Sequence, residues 1–108
     1  MARVNQTFTV TGTAQRIASS QTLGDRLFVQ MRAGSAGIGY VLSSNTGAMP
    51  SKSNDNDIVV EIVPGTSSGP GIPFKWTAPG GGNLEDMGSF WVDGSNNGDK
   101  IGVSYSKR

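Results

Sequence analysis

The 108-residue sequence contains no cysteine and no histidine. The first absence excludes disulfides, thiol nucleophiles and thiolate metal sites. The second removes the commonest general base and the commonest transition-metal ligand. Charge is sparse as well: 9 Lys and Arg stand against 8 Asp and Glu, which together make 16% of the chain and a net charge of +1. The cations are dispersed along the sequence without the basic stripe that a phosphate backbone requires, so nucleic acid is not an expected partner. No apolar run approaches the roughly 20 residues needed to cross a bilayer. Met1-Ala2-Arg3-Val4-Asn5-Gln6-Thr7 has no hydrophobic region of the signal-peptide kind. No membrane partner is expected, and synthesis in the cytosol is.

Glycine, by contrast, is abundant, at 16 residues. Glycine is costly inside regular elements and cheap in turns, which favours many short elements joined by tight loops. At this length residues 1–108 make a single domain with one modest core. The periodicity is that of strands. In residues 4–11, Phe8 and Val10 share one face, and Thr7, Thr9 and Thr11 the other. A weaker second strand centres on Ile17. In residues 26–32, Leu27, Val29 and Met31 alternate with Phe28, Gln30 and Arg32. Ile38, Tyr40 and Leu42 line one face of the next strand, and a polar loop over residues 43–57 follows. Residues 58–63 are apolar on nearly both faces and read as a central strand, with the one charge, Glu61, at a sheet margin or facing a partner. Ile72, Phe74 and Trp76 share a face of a short strand that Pro73 makes an edge strand, with Trp76 in the core. Asn83 caps a single helical turn over residues 84–87. Residues 89–93 and 100–106 complete the set.

About eight short strands with Gly- and Pro-rich turns predict an all-β, two-sheet sandwich. A jelly roll is preferred, since two Greek keys use eight strands and long crossings such as residues 43–57, and an immunoglobulin-like sandwich is the alternative.

Reactive chemistry is hard to assemble on this frame. Residues 93–99, Asp-Gly-Ser-Asn-Asn-Gly-Asp, open like a calcium loop, but the twelfth position is Ser104 rather than a bidentate acid. The segment reads as a hairpin turn in which Asn, Asp and Gly supply positive φ. Asn54-Asp55-Asn56-Asp57 aims adjacent side chains in different directions, and the neighbouring Glu85 and Asp86 cannot flank a glycosidic bond. Serine has no histidine to activate it, and Gly80-Gly81-Gly82 lacks the lysine and helix of a phosphate loop. No catalytic, cofactor-binding or metal-ligating residue is assigned, and the chain is not read as an enzyme. Trp91 stands apart. Alternation turns Phe90 and Val92 inward and leaves Trp91 outward with Ser89 and Asp93, where tryptophan marks a binding hot spot or a platform for sugar rings, or else lies under a loop that folds over it.

The N-terminal Phe8-Thr9-Val10-Thr11-Gly12-Thr13-Ala14-Gln15-Arg16-Ile17, together with Val92-Asp93-Gly94 and Gly98-Asp99-Lys100-Ile101-Gly102-Val103-Ser104-Tyr105, resembles small structural proteins of tailed bacteriophages. The resemblance covers the two ends, about a third of the chain, while residues 43–82 depart from it. It implies a head decoration (cement) protein on the capsid surface of a virion, with the major capsid protein and copies of itself as partners and a homotrimer as the favoured assembly. Trp91, the segment Asn83, Leu84, Glu85, Asp86 and Met87, and a short N-terminal arm of Arg3 and Val4 are then the expected contact residues. The alternative expectation is a carbohydrate- or receptor-binding module of a phage tail or head fibre. In that case Trp91 and Tyr40 would present flat rings, and the loop over residues 43–57 would supply amides.

Overall fold

A computed structural model describes residues 2–44, 48–77 and 84–107. Among them are nine strands: β1 (Ala2–Thr9), β2 (Gln15–Arg16), β3 (Leu23–Met31), β4 (Gly39–Ser43), β5 (Ile58–Ile62), β6 (Phe74–Thr77), β7 (Glu85–Asp86), β8 (Phe90–Gly94) and β9 (Lys100–Lys107). Short 3-10 turns at Asp55–Asp57 and Met87–Ser89 are the only helical pieces among the described residues. All pairings are antiparallel. One sheet runs β1-β9-β3-β6, with the two-residue β7 also pairing β3, and the other runs β2-β8-β4-β5. The chain changes sheet at nearly every step, and this interleaving of two Greek keys is the jelly-roll order. An immunoglobulin sandwich keeps its first two strands in one sheet, whereas β1 and β2 lie in different ones.

The inner rows explain the alternation. Leu27, Val29 and Met31 of β3 face the core beside Ile101, Val103 and Tyr105 of β9, and Val41, Ile62 and Val92 answer from the opposite sheet. Val10, Ile17, Ala18 and Met87 close the ends of this cluster. Each large apolar side chain so buried stabilises the fold by about 1.5–3 kcal/mol. Trp76 is half-buried against the core and packs on Phe90 with ring centroids 6.1 Å apart.

Three expectations need correction. Residues 58–63 do not form a central strand: β5 is the margin of its sheet. Val60 and Ile62 pack on the core, while Val59 and Val63 remain 48% and 49% exposed. A strand bare on one face looks in sequence like one covered on both. The single turn expected over residues 84–87 is displaced. Glu85 and Asp86 bridge to β3, and the 3-10 turn follows, with the Asp86 carboxylate accepting from the Gly88 N–H at 2.8 Å. Asn83 lies outside the described residues. Arg3 and Val4 are not a free arm, since β1 is paired to β9 from Ala2 to Thr9 and Val4 packs against the core.

The positive φ in the β8–β9 turn falls on glycine alone. Gly98 has φ 93°, and no described residue other than glycine adopts this conformation. The Asn and Asp residues act through their side chains instead. The Asp99 carboxylate accepts from the Gly37 N–H at 2.8 Å, from Ala36 N–H at 3.1 Å and from Asn96 Nδ2 at 2.9 Å.

Candidate functional site

Trp91 does face outward, opposite Leu42 of β4 and Arg16 of β2. It is not bare, because residues 48–57 fold across the outer face of the four-stranded sheet. Lys52 of this loop donates to the Gly94 carbonyl and pairs with Asp93 at 3.7 Å. Leu42 is fully buried although it lies outside the main core, and Pro50 and Asp57 are buried in the loop itself. Trp91 is left half-buried as one wall of a shallow hollow of about 370 Å³, shared with Arg16, Ser43, Met49 and Asp86. Tyr40, opposite Asp93, does not line it.

Much of the polar equipment of this hollow is already engaged. The Arg16 guanidinium donates to the carbonyls of Gly88 and Ser19. Asp86 Oδ1 accepts from the N–H groups of Thr22 and Gly88, both at 2.8 Å, and the Ser89 hydroxyl donates to the Asp86 carbonyl. These bonds hold residues 84–89 against the sandwich. Of the expected contact residues, Trp91 and Asp86 therefore come together. Leu84 is half-buried and Glu85 exposed. Met87 is a correction: it is fully buried in the core and offers no surface to a partner. Arg3 and Val4 lie on the other sheet.

That sheet carries the feature the sequence did not reveal. Its outer face holds a groove of about 450 Å³ lined by Arg3, Arg26, Arg32 and Lys75, with Phe28 and Gly102. The register sets the residues in rows. Arg3, Ser106, Arg26 and Thr77 stand side by side across the strands, and the next row is Asn5, Ser104, Phe28 and Lys75. A third row contains Thr7, Gly102 and Gln30. Arg32 lies over this third row: a Cβ built on Gly102 would come within 2.6 Å of its guanidinium carbon. Glycine in mid-strand costs stability and marks a close approach. Here the vacated space is filled by an arginine laid flat across β9.

Four of the nine cations thus share one face, and no carboxylate lines it. Asp25, next to Arg26, sits where the register shifts and does not reach the groove wall. None of the four cations makes an ion pair or side-chain hydrogen bond with another described residue. The signal was present in the sequence as parity. Once β1, β9, β3 and β6 are known to be neighbours, positions 3, 26 and 75 fall on the same side.

Among the described residues no three Asp or Glu side chains stand close enough to hold a metal ion. Asp93 and Asp99 are engaged with Lys52, with backbone N–H groups and with Asn96. No helix among the described residues is long and apolar enough to cross a membrane. No protein-family model matches the chain, and neither a curated protein nor a solved structure matches it.

Proposed function

We propose that this protein is a non-catalytic structural component of a phage particle, which associates with copies of itself and decorates the capsid. The observation that supports self-association is the open β5 margin. An unpaired edge strand is a template for another chain, and proteins ordinarily blunt it with charge, proline or a cover. Here β5 carries Val59, about half exposed, with Glu61 as its one charge, and Val63, equally exposed, follows just past its end. Ile38, 37% exposed, immediately precedes β4 beside it. Pairing this edge with a different margin of the next copy is a heterologous contact, which forms a ring where the rotation closes, and a threefold ring is the favoured form. Three copies seated on capsid subunits would then gain from effective concentration, so that weak individual contacts suffice. The placement on a phage head rests on the resemblance of the two chain ends.

The double substitution Val59→Lys with Val63→Lys tests the edge. Sedimentation velocity of the parent chain should show concentration-dependent association. The variant should remain monomeric with an unchanged melting temperature, because both side chains are already exposed. Association of the variant equal to that of the parent would count against this margin.

The carbohydrate-binding alternative has one observation in its favour, the Trp91 hollow. The engaged state of Arg16 and Asp86 leaves few polar groups there to orient a sugar hydroxyl. On the structural reading, a glycan array shows no binding that Trp91→Ala abolishes.

A further inference from the structure

From the groove on the five-stranded sheet we infer that this face binds single-stranded nucleic acid, with phosphates on Arg3, Arg26, Arg32 and Lys75 and a base stacked on Phe28. The proposal goes beyond the structural role, is independent of it, and replaces the expectation drawn from cations dispersed along the sequence, because the fold gathers four of them on one face.

Charge is the first argument. Four cations line one concave face without a carboxylate among them, and none is neutralised by another described residue. A chain of net charge +1 does not need such a concentration for solubility. Guanidinium groups match phosphate oxygens as paired donors, giving bonds about twice as strong as neutral ones.

The second argument is the position of Arg32. It follows β3 at the sheet end, where an exposed arginine would ordinarily extend into water. Instead its guanidinium lies back across β9 in the space that Gly102 leaves open. Its main chain is fixed too, with the N–H donating to the Lys100 carbonyl at 2.9 Å. The cationic rows at Arg3–Arg26 and at Arg32 are then about 14 Å apart along the strands, at roughly 3.4 Å per residue.

Phe28 separates nucleic acid from other polyanions. It is half-buried, it is not part of the core cluster, and it stands in the middle row between Ser104 and Lys75. An aromatic ring on an open sheet face with cations around it offers a stacking platform and an electrostatic track, the two elements of single-strand recognition. An acidic peptide fits less well. Extended peptides are held by main-chain bonds at a sheet edge, whereas the main chain of the inner strands β9 and β3 is paired on both sides. A duplex keeps its bases stacked inside and leaves Phe28 without a partner.

The test is fluorescence anisotropy with a labelled oligothymidylate of about 12 nucleotides, a length within the range of single-domain sites, titrated at roughly 50 to 200 mM NaCl. Each phosphate neutralised on a single strand contributes a slope of about −0.7 to log K against log salt, so four give about −3. Arg26→Gln or Lys75→Gln should flatten the slope by about 0.7 each. Phe28→Ala should weaken binding about 5- to 150-fold while leaving the slope unchanged. Circular dichroism melting of each variant verifies the fold, and because all three side chains point away from the core, melting temperatures should hold. Absence of binding at the lowest salt would overturn the proposal. So would equal affinity for a duplex of the same sequence, displacement by poly-glutamate at equal charge concentration, or binding that survives Arg3→Gln, Arg26→Gln, Arg32→Gln and Lys75→Gln together.

Discussion

Replacing Met87 by alanine should destabilise the protein by about 2–5 kcal/mol, the range for truncating a fully buried long apolar side chain. Met87 is completely excluded from solvent and joins the 3-10 turn to the core cluster. Its backbone N–H also donates to the Thr22 carbonyl at 2.7 Å, so the turn is fixed from both sides. The cost of the cavity left behind adds to the lost transfer energy. Leucine at this position conserves volume and should cost less than about 1.5 kcal/mol. The denaturation midpoint of the two variants measures the difference. A Met87→Ala protein as stable as the parent would mean that the side chain is a surface contact after all.

Asp99→Ala should also be costly, at about 1.5–3 kcal/mol, because it removes a buried charged acceptor from three donors, and a hydrogen bond to a charged group is worth about that much. The carboxylate is 6% exposed and ties the loop after β3 to the β8–β9 turn through Ala36, Gly37 and Asn96. Burial alone would raise its pKa, but the hydrogen bonds from Asn96, Gly37 and Ala36 outweigh burial and hold it below the usual aspartate value. A group with a depressed folded pKa contributes stability that is present above its unfolded value of about 3.9 and is lost as the pH falls through the folded pKa. Denaturant midpoints taken from about pH 5 downward should therefore decline through the pH 4 region more steeply in the parent than in Asp99→Asn. Parallel curves for the two proteins would contradict the assignment.

The class of fold was legible in the alternation of residues 4–11, 26–32 and 89–93, where inward rows of Phe, Val, Leu and Met are separated by polar ones. Periodicity reports which residues share a face; it is silent on which strands are neighbours. The position of β5 was hidden for that reason: Val59 and Val63 look the same in sequence whether a second layer covers them or not. The groove was hidden by the same limit. Arg3, Arg26 and Lys75 are far apart along the chain and become neighbours only through the order β1-β9-β3-β6. Arg32 joins them because of a glycine 70 residues further on, a space that no local pattern announces. Met87 illustrates the converse error. A short polar-looking segment contains one buried residue, and its neighbours Asp86 and Ser89 supply bonds that fix the turn rather than a surface for a partner.

Self-association through the β5 margin is the central claim, and the mass of the purified chain in solution tests it most directly. Multi-angle light scattering across a dilution series should give three times the 11.2 kDa chain mass at high concentration and a fall toward the single chain on dilution. A constant 11.2 kDa particle at every concentration would contradict it.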